Sequence, residues 1–125
     1  MEHTIYYHDT DAGGVVYYAN YLKYLEEART EWLTKRGVVL KKWVEKGITF
    51  AVYECNLRYK SPARYGDTIV SAAELKDHSG VKMTLTQTIS DKPSGRLLVE
   101  ADVTLVCLGT DFKPVKIPEE IARVL

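Results

Sequence analysis

Near its start the chain carries an acid, two glycines and a run of aromatic residues at close spacing: Tyr6-Tyr7-His8-Asp9-Thr10-Asp11-Ala12-Gly13-Gly14-Val15-Val16-Tyr17-Tyr18-Ala19-Asn20-Tyr21. Asp11 is the residue of this run best suited to chemistry. An aspartate is ionised at neutral pH, so it can serve as a nucleophile or a weak general base. The glycines Gly13 and Gly14 let the backbone approach a bound group closely, and an amphipathic helix follows them. Free N–H groups at such a helix start, here around Val16, Tyr17 and Tyr18, can polarise a carbonyl and hold a developing oxyanion. A carboxylate beside such donors has the parts for acyl transfer to water. The same residues have a plainer use as a helix cap and a turn.

Other groups compete for attention. His8 with Asp9 or Asp11, and His3 beside them, are the constituents of a metal site or an acid–base dyad. The first residues, His3 to Tyr7, have a strand pattern, and neighbours on a strand point to opposite faces. His8 is therefore expected at the surface and Asp9 in a structural role, accepting from loop N–H groups. No metal is expected. The glycine pair does not fit a dinucleotide-binding pattern. Tyr6, Tyr7, Tyr17, Tyr18, Tyr21 and Tyr24 make a dense cluster among nine tyrosines, expected mostly to pack in the core or between subunits. Tyr7, four residues before Asp11, is the one placed to touch substrate or orient the carboxylate. Arg58, Lys60 and Arg64, around the Ser61-Pro62 turn, are candidates for holding phosphate, with Lys82 as a further option.

These residues need a helix and a sheet to position them. Over residues 18–36, Tyr18, Tyr21, Leu22, Leu25, Ala28, Arg29, Trp32 and Leu33 recur at spacings of three and four, which predicts one amphipathic helix. At ~1.5 Å per residue it is about 28 Å long, enough to cross a sheet. Gly37 is its stop, and a shorter helical piece follows over Leu40–Glu45. Alternation then predicts strands over Ala51–Lys60, Thr68–Lys76, Val81–Ile89 and Leu97–Leu108, joined by turns at Ser61–Asp67, Asp77–Gly80 and Asp91–Gly95. The last strand is apolar on both faces near its end, so it is expected to be central. Pro118-Glu119-Glu120 opens a final helix. The order predicts one α+β domain over residues 1–125, with a largely antiparallel sheet of about five strands and one long helix. One helix leaves part of the sheet under-covered, which favours a homo-oligomer.

Composition bounds the function. With 17 basic and 17 acidic residues, the chain offers no charge-based reason to expect a nucleic-acid or membrane-surface partner. Cys55 and Cys107 fall on the apolar side of predicted strands and are expected as small core residues. No apolar run approaches the ~18 residues of a membrane span, and no charged-then-apolar leader precedes the first strand. The expectation is a cytoplasmic protein.

The segment Tyr7–Leu22 closely resembles the signature of hotdog-fold acyl-CoA thioesterases, specifically the 4-hydroxybenzoyl-CoA thioesterase family and most of all its YbgC-type members. The likeness continues through Tyr24, Glu27, Ala28, Arg29, Glu31 and Leu33, and resumes over Tyr59-Lys60-Ser61-Pro62-Ala63-Arg64-Tyr65-Gly66-Asp67. The resemblance implies an antiparallel sheet wrapped around a long central helix, usually as a dimer or tetramer. It implies hydrolysis of coenzyme A thioesters, sometimes of acyl carrier protein thioesters, with coenzyme A as part of the substrate and no separate cofactor. It implies Asp11 as the catalytic carboxylate, a functional tyrosine at Tyr7, and a carbonyl-polarising backbone N–H at Tyr18. Related proteins often carry a histidine where this chain has Tyr18. A tyrosine titrates near about 10 and an imidazole near about 6.5, so a proton-transfer role does not carry over, whereas the N–H does. Gly14, Val16 and Tyr17 are the expected substrate-side neighbours. The alternatives are a non-catalytic acyl-CoA or acyl-carrier-protein binding module and, less favoured, a hotdog hydratase or dehydratase.

Overall fold

The computed structural model describes all residues 1–125. Five strands form one antiparallel sheet: β1 (Glu2–Thr4), β2 (Thr49–Tyr59), β3 (Thr68–Ser79), β4 (Lys82–Asp91) and β5 (Leu97–Leu108), in the order β1-β3-β4-β5-β2. Helix α1 (Asn20–Lys35) lies against one face of that sheet, followed by the short α2 (Leu40–Glu45), with α3 (Glu119–Ala122) near the C-terminus. This is the predicted α+β arrangement, and it is the hotdog architecture. No helix is long and apolar enough to cross a membrane.

The core sits between α1 and the inner face of the sheet. Met83, Leu85 and Ile89 of β4 alternate inward, with Thr84, Thr86 and Thr88 on the outer face, as a half-covered strand requires. Tyr21, Tyr24, Leu25, Ala28 and Leu33 are the buried residues of α1. The helix stripe is rotated from its predicted position, because Tyr24 is buried whereas Tyr18 and Leu22 are exposed. Strand β5 is interior and buried along most of its length, as expected.

Other expectations are corrected. The first strand ends at Thr4, and Tyr7–Asp9 form a 3-10 turn instead of continuing it. The reason is local: the Asp9 carboxylate accepts from the Tyr6 N–H at 2.8 Å, and the Asp9 N–H donates to the Tyr6 carbonyl at 3.0 Å. Strand β3 runs on to Ser79 after a register shift between Leu75 and Asp77, so the turn to β4 shrinks to Gly80 and Val81. Gly80 takes a φ of 54°, the left-handed conformation that such a tight reversal favours in glycine. Cys107 is buried as expected, but Cys55 is exposed. Cys55 does face the helix side, opposite Val103, yet on the edge strand β2 it lines an opening with Leu22, Leu25 and Arg29 of α1 instead of packing against them.

Candidate active site

The segment that carries Asp11 is threaded into the fold by backbone bonds. The Asp11 N–H donates to the Val15 carbonyl at 2.9 Å and the Gly14 N–H to the Asp11 carbonyl at 3.0 Å, closing a tight loop over residues 11–15. Gly14 has a φ of 78°, which is why a glycine stands there. The Gly13 N–H donates to Asp11 Oδ1 at 2.8 Å, so one carboxylate oxygen is oriented by its own loop. The chain then crosses to the connection after β2, where the Val16 N–H donates to the Ala63 carbonyl at 2.9 Å and Val15 bridges Arg64.

Asp9 joins this loop to the helix. Its carbonyl accepts from the Tyr17 N–H at 3.0 Å and from Asn20 Nδ2 at 2.9 Å, while its carboxylate holds the Tyr6 N–H. Asp9 is buried, and the structural role expected of it is what these bonds describe. His8 is largely exposed, also as expected, but on the 3-10 turn its Nδ1 comes within 3.9 Å of Asp9 Oδ1, a convergence that strand geometry would have forbidden. His3 Nε2 lies 4.0 Å from Asp9 Oδ2, with its ring against Tyr24. These groups do not form a metal-binding cluster.

Two openings flank the segment. Tyr7, Thr10, Asp11, Ala12, Gly14 and Tyr65 line one, of about 450 Å³. The rings of Tyr7 and Tyr65 meet edge to face there, with centroids 5.9 Å apart. Tyr65 was not singled out from the sequence, although it stands inside the Tyr59–Asp67 motif. The second opening, about 290 Å³, is lined mainly by aromatic and aliphatic groups: Val15, Val16, Tyr18, Tyr21, Tyr59, Lys60, Ser61 and Pro62. A single copy of the chain therefore brings Asp11 and Tyr7 together, and separately Tyr18 and Lys60. It does not enclose Asp11 and the helix start in one cleft, and Asp11 is exposed.

The backbone donors are sharply divided. The N–H groups of Val16, Tyr17 and Gly14 are all spent on carbonyls inside the chain, so the expectation that Val16 and Tyr17 offer theirs to substrate is corrected. Tyr18 differs: its N–H donates to no group of the protein. Of the proposed phosphate-binding cations, Arg58 lies on the outer face of β2 opposite Glu100 and is paired with it at 3.1 Å, away from α1. Lys60 reaches the same carboxylate at 3.7 Å but also lines the groove beside Tyr18. Arg64 makes no ion pair within the chain. Lys82 instead lies over the Tyr53 ring at 3.9 Å.

Similarity to known proteins agrees with this architecture. The profile of the Thioesterase-like superfamily matches residues 6–125. The chain is 36% identical over 118 residues to the acyl-CoA thioester hydrolase YbgC of Escherichia coli, spanning 94% of this chain and 87% of that protein. It is 33% identical over 111 residues to the putative acyl-CoA thioesterase YneP of Bacillus subtilis, covering 88% of this chain and 80% of that one. A solved structure of 4-hydroxybenzoyl-CoA thioesterase superposes with a TM-score of 0.90 over 99% of this chain and 95% of the other; at 23% identity that likeness speaks to fold alone.

Proposed function

The chain belongs to the Thioesterase-like superfamily and is a thioester hydrolase acting on acyl-CoA; for that reaction we propose Asp11 as the reacting carboxylate and the Tyr18 N–H as the donor to the thioester carbonyl. The observation that carries this assignment is the unspent Tyr18 N–H. It stands two residues before α1 begins, seven residues after an exposed aspartate, while the donors of Val16 and Tyr17 just ahead of it are committed. A fixed donor aimed at a carbonyl stabilises the negative charge that develops on oxygen, and elsewhere one such donor contributes about 3–4 kcal/mol.

Two routes fit the same groups. In one, an Asp11 oxygen attacks the acyl carbon, the C–S bond breaks, coenzyme A leaves as the thiolate, and water hydrolyses the resulting mixed anhydride. In the other, Asp11 takes a proton from a water that attacks the acyl carbon directly, and that proton goes on to the leaving thiolate. The products of both are the free acid and coenzyme A. Tyr7 and Tyr65 flank the carboxylate and would contact the group next to the thioester. Lys60, on the rim of the Tyr18 groove, is the cation best placed for a coenzyme A phosphate.

The working form is a homo-oligomer assembled through β2. This 11-residue edge strand exposes Val52 and Tyr53, whereas β1 at the other edge has only three residues. A long exposed apolar edge calls for a partner strand. Sedimentation at micromolar concentration should show a dimer or larger species; a monomer that turns over acyl-CoA at full rate refutes this part.

The catalytic assignment is tested by thiol release over a panel of acyl-CoAs. Wild type should turn over at least one, and Asp11→Asn should lose several hundred-fold in kcat. Full activity in Asp11→Asn would move the chemistry to another group.

A further inference from the structure

The Tyr18 N–H is free, but the groups that set its direction, the Tyr17 N–H and carbonyl and the Tyr18 carbonyl, are held. Tyr17 is held at both ends: its N–H donates to the Asp9 carbonyl at 3.0 Å, and its carbonyl accepts from the Asn20 N–H at 2.8 Å. The Tyr17 carbonyl and the Tyr18 N–H belong to one planar unit and point in opposite directions, so fixing the carbonyl fixes where the N–H aims. The next unit is held from the sheet, where the Tyr59 hydroxyl donates to the Tyr18 carbonyl at 3.1 Å. Asn20 adds a third restraint by donating from Nδ2 to the Asp9 carbonyl at 2.9 Å, tying the first turn of α1 to the loop that carries Asp11. The Asp9 carbonyl thereby takes two donors, and Asp11 lies only two residues beyond it.

We infer that Tyr59 and Asn20 are positioning residues for thioester hydrolysis: together they hold the Tyr18 N–H in a fixed direction and at a fixed separation from the Asp11 loop. The inference rests on the reading of Tyr18 as the carbonyl-polarising donor. Neither side chain does the chemistry. Tyr59 reaches the helix start from the end of β2, with its ring against those of Tyr18 and Tyr21 at centroid distances of 6.4 and 5.6 Å. Asn20 acts from the first position of α1. The two restrain the donor from the sheet and from the loop, the kind of preorganisation that an oxyanion site needs if no reorganisation is to occur during reaction. Displacing a catalytic group by about 1 Å costs rates of up to ~100-fold.

Tyr59→Phe removes one oxygen and leaves the ring packing in place. Its bond is solvent-exposed, so the melting temperature should hardly move. The expected result is a fall in kcat of about tenfold with KM within about twofold. Asn20→Ala should also lower kcat by about tenfold or more, with some loss of stability because the loop is released. Asp11→Asn is measured alongside. If Asp11→Asn loses its turnover but Tyr59→Phe and Asn20→Ala keep the wild-type kcat, the positioning inference is overturned and the site assignment survives. A rise in KM at constant kcat for Tyr59→Phe also overturns it, because the hydroxyl would then be a ground-state contact. Unchanged turnover in Asp11→Asn overturns the site assignment and this inference with it.

Discussion

Replacing Gln87 by methionine should make the protein more stable, although it deletes a buried hydrogen bond. Gln87 is on the inner face of β4, between Ala73 of β3 and Ala101 of β5 in register, and it is fully buried. Its Nε2 donates to the Leu25 carbonyl of α1 at 2.8 Å, whereas its Oε1 is buried with no partner. The lost bond contributes about 1 kcal/mol net, and a stranded buried carbonyl costs about 1–3 kcal/mol. The Leu25 carbonyl is not stranded by the change, since in mid-helix it faces the N–H four residues on. Methionine has nearly the same length and adds apolar surface to the core. The balance is about 1–2 kcal/mol in favour of the variant, or roughly 4–8 °C in melting temperature for a domain of this size. Calorimetry or thermal circular dichroism reads it directly. Gln87→Ala is the companion, expected to fall by about 2–3 kcal/mol because it leaves a cavity. A melting temperature that drops by several degrees in Gln87→Met would show that Oε1 is satisfied in solution, and the reasoning would fail.

Two further outcomes follow from the site and its supporting tyrosines. A methyl group on Gly13 would sit 3.2 Å from Asp11 Oδ1, so Gly13→Ala should disturb the carboxylate and cut kcat several-fold at nearly unchanged melting temperature. Gly14→Ala meets no neighbour but keeps a φ of 78°, so it should cost about 1 kcal/mol or more in stability through the backbone; equal kcat and melting behaviour in the two variants refutes this contrast. Burial raises the Tyr21 hydroxyl above the ordinary tyrosine range, and for Tyr24 burial does so first, with the neighbouring Asp9 carboxylate adding to it. A raised folded-state value means the folded protein keeps its proton while the unfolded chain loses it. That stability is intact below about pH 10 and falls above it, by up to about 1.4 kcal/mol per pH unit for each tyrosine. Urea midpoints measured between pH 9 and 11.5 should fall, and less steeply in Tyr24→Phe; equal slopes for variant and wild type would remove the argument.

What the sequence determined was local. The spacing of Tyr21, Leu25, Ala28 and Leu33 is enough to define α1, and Gly37 to stop it, because helical periodicity is written within a few residues. The boundaries of α2 and β5 were legible for the same reason, and so was the Asp11–Gly14 loop, whose turn depends on its own glycines. The 3-10 turn at Tyr7–Asp9 was missed, because a strand-like run of residues hid an aspartate that folds back on the Tyr6 N–H. Sheet order decided the rest. Cys55 has the alternation of a core residue, and only its place on the edge strand exposes it. Gln87 has the composition of a surface residue, and only its register between two alanines under α1 buries it. Which N–H groups remain free at the helix start depended on carbonyls at Asp9 and Ala63, the second nearly fifty residues away along the chain. Periodicity along a chain reports which face a side chain prefers, but hydrogen-bond partners are chosen in space, so the contrast between the free donor at Tyr18 and the committed ones at Val16 and Tyr17 emerged only once the loop, the helix and the end of β2 were packed together.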